Sequence, residues 1–448
     1  MVLSRADSIR SELSRGPLAG RQLFEKLGVS QPTGSRALNA MAAELVRIGA
    51  ARSIRYALRD VVRGLPDIVV YRVDPVGRLQ RFGTLIAVRP DGFVMHEESG
   101  STFHTDGLPW WLFDMRPQGY LGRAYAARHG AALGLPERLA DWTDTHALRA
   151  LLVHGHDLVG NLLLGDVARA HFLAAAPPEP VSAADRGEQY RRMALEAARG
   201  DTPGSSAAGE QPKFTTFVST ATGPRHVIVK FSEVEDGPVS ERWRDLLMAE
   251  HLALETLREA GLPASTTRVL DHADQRFLEV ERFDRVGASG RRGLISLAAL
   301  DAEFVGAGTG GWPVIARRLA ASRHIRTDAA ETAELLWAFG TLIGNSDMHA
   351  GNLSFVSEEG RPYGIAPAYD MTPMCFAPRS GGGLPDHIPP ANLRVDISHE
   401  AWRQAEALSR DFLGRVVRAV GFSHRFSACI AALEAHMRTA AAGIERLG

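Results

Sequence analysis

The feature that most restricts this chain is the polar loop Asn345-Ser346-Asp347-Met348-His349-Ala350-Gly351-Asn352, caught between a helix and a hairpin. Leu335, Leu336, Phe339, Leu342 and Ile343 recur at helical spacing and give one apolar face. Gly344 ends that helix. Beyond the loop, residues 353–356 and 363–366 read as strands joined by the turn Ser357-Glu358-Glu359-Gly360. Folding this hairpin brings Asn352 close to Asp370, so that Asp347, Asn352 and Asp370 converge at one mouth. An acid five residues before an Asn, with a second acid across a hairpin, suits phosphoryl transfer. Asp347 accepts or orients the attacking hydroxyl, and Asn352 and Asp370 offer oxygen ligands to Mg²⁺. The alternative is a turn-rich loop whose Asn and Asp side chains cap their own backbone.

A second constraint comes from lysine. Of 51 cationic side chains only Lys26, Lys213 and Lys230 are lysines. Such arginine bias suggests that a surviving lysine marks a place where guanidinium does not fit. Lys213 and Lys230 flank a predicted hairpin, with strands over 214–218 and 226–231 and a turn at Thr222-Gly223-Pro224. Folding about that turn sets Lys230 across from about Thr215, with Lys213 at the same end. The preceding Ser205-Ser206-Ala207-Ala208-Gly209-Glu210-Gln211-Pro212 is small and flexible. A backbone loop beside a compact ammonium is a phosphate site, although no GxxxxGK[ST] occurs. Lys230 snorkelling to solvent at a strand edge is the competing reading. A helix over about 240–260 carries Leu246, Leu247, Leu254 and Leu257 as its stripe, and Glu250 falls inside it. A carboxylate there needs a partner, and Lys230 is the natural one. The other option is a helix-edge Glu250 reaching water.

The first 64 residues differ from the rest. They hold eleven basic and five acidic side chains, a balance of +6, which leaves −7 for the remainder of a chain at −1. Helices are expected over 4–13, over 20–27, and from after Ser30 with Pro32 in the first turn; short strands follow over 45–48 and 53–58. That order describes a winged helix-turn-helix, with Gln31, Thr33, Ser35, Arg36 and Asn39 reaching bases or phosphates and Arg52 and Arg55 on the wing. A helical docking module with a solvated basic face is the alternative. Leu65-Pro66-Asp67 reads as a linker, residues 68–94 as strand-rich and 108–175 as mostly helical. Trp110-Trp111-Leu112-Phe113 reads as core, Gly306–Gly311 as a loop, and His154 with His156 as a pair lacking a third metal ligand. Cys375 and Cys429 form neither a metal cluster nor a disulfide framework. The N-terminus lacks an apolar signal core, and no apolar run approaches the ~20 residues of a membrane span. A cytoplasmic protein without membrane partners is expected.

At this point the sequence resembles the HipA-like serine/threonine kinases, the toxin component of a bacterial toxin–antitoxin class. The fused first domain looks like the YjjJ-type branch. The resemblance runs from about residue 68 to the C-terminus. It rests on Ala208-Gly209-Glu210-Gln211-Pro212-Lys213, Val229-Lys230, Val280-Glu281-Arg282-Phe283-Asp284-Arg285, the 345–352 loop and Tyr369-Asp370-Met371.

The resemblance implies an α+β, two-lobed protein-kinase-like fold that uses ATP with Mg²⁺. Beyond the winged head (1–64) read from its own residues, it divides the chain into an N-terminal lobe (66–284) and a helical C-terminal lobe (285–448). It implies Glu281, Arg282 and Phe283 as the hinge at the adenine, Lys230 at the α/β-phosphates, Asp347 as catalytic acid and His349 near the phosphates. Asn352 and Asp370 would hold metal. Ala208, Gly209, Glu210, Gln211, Lys213 and Tyr369 would complete the nucleotide site. Ser206, or its neighbour Ser205, aligns with a serine whose phosphorylation ejects the glycine loop; the added charge beside the ATP phosphates accounts for that.

By family analogy the protein substrate is a translation component such as an aminoacyl-tRNA synthetase. DNA is a partner through the head, and an antitoxin is a further candidate. The HRD arginine and DFG of ordinary protein kinases are missing. Residues 374–390 would shape access of a protein substrate. A nucleotide-sensing transcription regulator with an inactive kinase-like body is the main rival. A metal-dependent hydrolase around Asp347, His349 and Asp370 is the third option.

Overall fold

Apolar periodicity and capping set up the first three helices, Arg5–Leu13, Gly20–Lys26 and Gln31–Ala40. Ser4 caps the first by accepting from Asp7 N, and Pro32 sits in the first turn of the third. Gly34 lets the second and third helices touch: a Cβ there would lie 2.2 Å from the Phe24 ring. Strands Leu18–Ala19, Arg55–Leu58 and Leu45–Ile48 form a sheet in that spatial order. Ile9, Leu13, Leu23, Leu38, Met41 and Leu45 make the local core. The structure is a computed structural model that describes residues 4–50, 53–199, 211–358 and 360–447.

Leu65-Pro66-Asp67 does not act as a free linker. Asp60 N donates to Ala87 O at 3.0 Å and Arg89 N to Leu58 O at 2.8 Å, stitching the small sheet to the next one. Val46, Ile48 and Ala57 bury against Ile86, Val88 and Val94. The apolar outer face of a short hairpin is indistinguishable in sequence from its inner face, so this seam is not legible beforehand.

The next sheet is antiparallel, in the order Thr102–Thr105, Phe93–Glu97, Leu79–Ala87, Ile68–Val73, Leu162–Leu164. A short 3₁₀ segment, Trp110–Met115, and the helices Gly119–His129, Asp144–His154 and Gly165–Ala174 accompany it. Leu112 of the tryptophan-rich tract is fully buried, while Trp110, Trp111 and Phe113 are half-buried.

A four-stranded antiparallel sheet follows, ordered Thr267–His272, Gln275–Glu281, Arg225–Phe231, Lys213–Val218. Helix Arg186–Ala198 covers one face through Tyr190 and Ala194 against Phe214, Val229 and Phe277. Helix Pro238–Glu259 covers the other through Leu247 against Leu278 and Val280. Lys230 pairs with Leu278 and so belongs to that second face. The hairpin register differs from expectation: Lys230 opposes Lys213, and Thr215 opposes Ile228. Pairing stops at Val218, so the turn opens earlier than the Gly-Pro pair suggests and shifts the register by two residues.

The C-terminal part packs helices Leu297–Phe304, Gly311–Ala321, Thr327–Leu342, His399–Arg418 and Ser427–Ile444 around buried Trp312, Phe339, Trp402 and Phe412. A small sheet, Leu294–Ser296, Ser354–Val356, Gly364–Ile365, borders it. Among the described residues, no helix is long and apolar enough to cross a membrane.

Candidate active site

Strand Arg225–Phe231 aims Lys230 at the helix Pro238–Glu259, whose stripe includes Glu250. Lys230 Nζ lies 2.6 and 2.8 Å from the two Glu250 oxygens, and Glu250 is fully buried. The same ammonium touches Asp370 Oδ1. Thr372 Oγ1 donates to Glu250 Oε2 at 2.9 Å. Asp370 adopts φ +54°, a left-handed conformation that Asp tolerates and that turns its carboxylate back toward the lysine. Burial by itself would lower the Lys230 pKa, but Asp370 and Glu250 outweigh it and hold the ammonium charged. Burial would likewise raise Asp370, but Lys230, Lys213 and His349 win and hold it below its ordinary value. The two lysines therefore balance two carboxylates in one water-poor cluster.

The 345–352 loop is clamped to this cluster through its asparagines. Asn345 Nδ2 donates to Asp370 O at 3.1 Å, and its Oδ1 accepts from Asp347 N at 3.0 Å. Asn352 Nδ2 donates to Asp347 O at 2.8 Å. The asparagine side chains thus cap loop backbone, whereas Asp347 itself is exposed. Asp347 and His349 border an adjoining hollow with Trp337, Pro389 and Arg394. His349 Nδ1 accepts from Gly351 N, and its carbonyl accepts from Trp312 Nε1. Tyr369 OH donates to Gly351 O at 2.8 Å and lies 2.7 Å from Ser354 Oγ.

Between the four-stranded sheet and this loop lies a cavity. Lys213, Lys230, Asn352 and Asp370 border it, as do Glu281, Arg282 and Phe283. Ile228, Val280 and Leu294 add apolar wall, and the Phe283 and Tyr369 rings lie 5.8 Å apart. The Glu281 side chain is drawn off by Arg225 at 3.0 Å, and Arg282 is forked onto Asp284 at 2.9 and 3.0 Å. Their N–H groups go to the Thr266 and His226 carbonyls. The side chains of these two residues therefore pin the segment by partners away from Lys230 and Asp370. Gln211 is half-buried at the foot of strand Lys213–Val218. Ser205, Ser206, Ala208, Gly209 and Glu210 lie outside the described residues.

Several residues at the site carry no local sequence signal. Asn345 and Thr372 look like ordinary loop polar groups. Asp114 and Gln118, which also line the cavity, come from the segment after strand Thr102–Thr105 of the five-stranded sheet. His154 meets Tyr125 OH at 2.8 Å and stacks near His129, and no cluster of three or more His, Cys, Asp or Glu side chains that could hold a metal ion is found among the described residues.

In the first region, Gln31, Arg36 and Asn39 are exposed on the third helix, and Thr33 and Ser35 are half-buried. Arg55 is exposed on its strand, and Arg52 lies outside the described residues.

The fold resembles a chain of the Shewanella oneidensis MR-1 toxin–antitoxin complex of HipA, HipB and operator DNA. The TM-score is 0.57 at 16% identity, covering 85% of this chain and 97% of that one. Residues 205–441 match the HipA-like C-terminal domain. Fold and sequence together define a HipA-like protein. Residues 65–173 match the middle domain of the YjjJ-like toxins, and Toxin YjjJ of Escherichia coli (strain K12) is 39% identical over 416 residues, 92% of this chain and 93% of that protein. The chain belongs to the YjjJ-like toxin family.

Proposed function

We propose that this protein is a HipA-type, ATP- and Mg²⁺-dependent serine/threonine protein kinase with a DNA-binding head and a growth-arresting, toxin-like role. The observation that carries the proposal is Lys230, held charged between Glu250 on a helix and Asp370 on the opposite side of the cleft. An ammonium fixed in this way is a point charge for α- and β-phosphate oxygens. Lys213, its register partner, adds a second positive charge. Ile228, Val280, Leu294 and Phe283 suit a planar base, and Tyr369 closes the same cavity. The Glu281–Phe283 segment would serve as the hinge between a lobe over 66–284 and a lobe over 285–448.

Asn352 and Asp370 supply hard oxygen donors, a set that fits Mg²⁺. The metal would neutralise phosphate charge as the γ-phosphoryl group moves. Asp347, exposed toward the adjoining hollow, would orient a substrate serine or threonine hydroxyl and take its proton. His349 would stand near the phosphates. Catalysis would then be positioning plus charge stabilisation. Ala208, Gly209, Glu210 and Gln211 would form the phosphate loop. Ser206, with Ser205 as alternative, would take phosphate in autophosphorylation, and the added charge would repel ATP.

Three helices, three short strands and a +6 balance support a winged helix-turn-helix over residues 1–64. Gln31, Thr33, Ser35, Arg36 and Asn39 would face the major groove, with Arg52 and Arg55 on the wing. The HipA–HipB–DNA complex makes an antitoxin and DNA reasonable partners. The protein substrate would be a translation component, such as an aminoacyl-tRNA synthetase.

Incubation with γ-labelled ATP tests the proposal. Label on protein in the wild type and none in Asp347→Asn is expected. An unlabelled wild type would point to a nucleotide-sensing regulator, and free phosphate without phosphoprotein to a hydrolase.

A further inference from the structure

The cavity is not bordered by the four-stranded sheet and the C-terminal part alone. Asp114 and Gln118 reach it from the segment that follows strand Thr102–Thr105 of the five-stranded sheet. Asp114 lies one residue before the end of the 3₁₀ stretch Trp110–Met115, and its Oδ2 accepts from Ser296 N at 2.7 Å. Ser296 joins the small sheet opposite Ser354, which holds Tyr369 OH. This chain of contacts fixes Asp114 at the cavity floor.

Other polar groups at that level are already engaged. Ser296 Oγ accepts from Ala299 N to cap a helix, and Ser354 Oγ serves Tyr369. Asp114 is different: a carboxylate has about four lone-pair sites, and Ser296 occupies only part of them. Burial raises the Asp114 pKa, a cost that further hydrogen bonds would offset. Gln118 sits at the N-cap of helix Gly119–His129 but makes no capping bond with its side chain. Its amide, a donor and acceptor together, borders the cavity instead.

These two groups lie along a cavity whose other borders are the Glu281–Phe283 segment and the Lys213, Lys230 and Asp370 cluster. Resting on the kinase proposal, base at the first and phosphates at the second leave a sugar between them. We propose that Asp114 and Gln118 recognise the 2′- and 3′-hydroxyls of a ribonucleoside triphosphate. A vicinal diol offers two donors and two acceptors, which a carboxylate and a carboxamide match. The middle domain then selects the sugar, and the site is incomplete without it.

The test is equilibrium binding of ATP, 2′-deoxy-ATP and 3′-deoxy-ATP with Mg²⁺ to the full-length protein. The wild type should bind at least one deoxy analogue about tenfold more weakly than ATP, the scale of one lost hydrogen bond. In Gln118→Ala and Asp114→Asn the ATP-to-deoxy ratio should fall toward one, with circular dichroism and Tm unchanged in Gln118→Ala. With a protein substrate, KM for ATP should rise in Gln118→Ala while kcat holds at saturating nucleotide. Equal binding of all three nucleotides by the wild type, or a ratio unmoved in both variants, overturns the assignment and leaves the kinase proposal standing. A wild type that binds no ATP overturns both.

Discussion

Lys230 and Asp370 touch across the cleft although 140 positions separate them in sequence. The contact joins the four-stranded sheet to the end of the small C-terminal hairpin, and Glu250 anchors the lysine from behind. One ammonium thereby sets the spacing of two separately folded parts.

Asp347→Asn should abolish phosphotransfer, with a fall of about 10²–10⁴ for loss of a general base. Its side chain is exposed, so stability should stay within about 0.5 kcal/mol of wild type. Labelled-ATP assays beside urea unfolding check both statements. An Asn variant that transfers phosphate at the wild-type rate would remove Asp347 from the mechanism.

Lys230→Met should destabilise the fold by roughly 3–5 kcal/mol at neutral pH, because Glu250 is left buried without its cation and the partly exposed Asp370 loses one of its two lysines. The pH dependence follows from the two shifts. Asp370 is held below its ordinary 3.8, so its stabilisation is present above that value and is lost as pH falls through its folded pKa. Lys230 is raised above 10.5, so its contribution persists below that value and disappears as pH rises through its folded pKa. The difference between wild type and variant should therefore be largest between about pH 4 and 10 and shrink on acidification. Urea titrations across that range measure it.

Asp284→Ala should cost a similar ~3–5 kcal/mol. Asp284 is buried between Arg282 and Arg285, and its Oδ2 also accepts from Gly160 N at 3.1 Å. Burial would raise its pKa, but the two guanidinium groups outweigh that and hold it well below the usual carboxylate range. Losing it leaves the two arginines sharing Asp157, 2.7 Å from Arg285 and 3.7 Å from Arg282, where the hinge meets residues 157–160. Thermal unfolding and proteolysis near residue 160 should both report the change. An unaltered Tm would mean that the arginines find other partners.

Arg36→Ala should weaken DNA binding across all sequences and reduce the log–log salt slope by about 1, as expected for one lost phosphate contact. Anisotropy titrations at several salt concentrations measure the slope. An unchanged slope would place DNA, if bound at all, away from the third helix.

Much of the cleft was legible because its charges break apolar patterns. Lys230 interrupts a strand of Val and Ile, and Glu250 interrupts a leucine stripe; a buried charge calls for a partner, and each is the other's. The 345–352 loop stood out for another reason, the spacing of Asp347 and Asn352 with Asp370 across a hairpin. Asp114 and Gln118 did not, since a polar residue beside Trp110 and Trp111 breaks no period, and only tertiary packing brings it to the cavity. The two-residue register difference at Lys213 arose because turn length depends on where pairing ends, not on where Gly and Pro stand. Similarly, Leu65-Pro66-Asp67 has the composition of a linker yet lies beside a hydrogen-bonded seam.

That seam ties the first region to the body of the protein. With Leu58 and Asp60 bonded to Arg89 and Ala87, the small sheet beside the first three helices continues through backbone hydrogen bonds into the five-stranded sheet. A ligand held by those helices would lie at one end of a hydrogen-bonded path that leads through the five-stranded sheet toward Trp110–Met115.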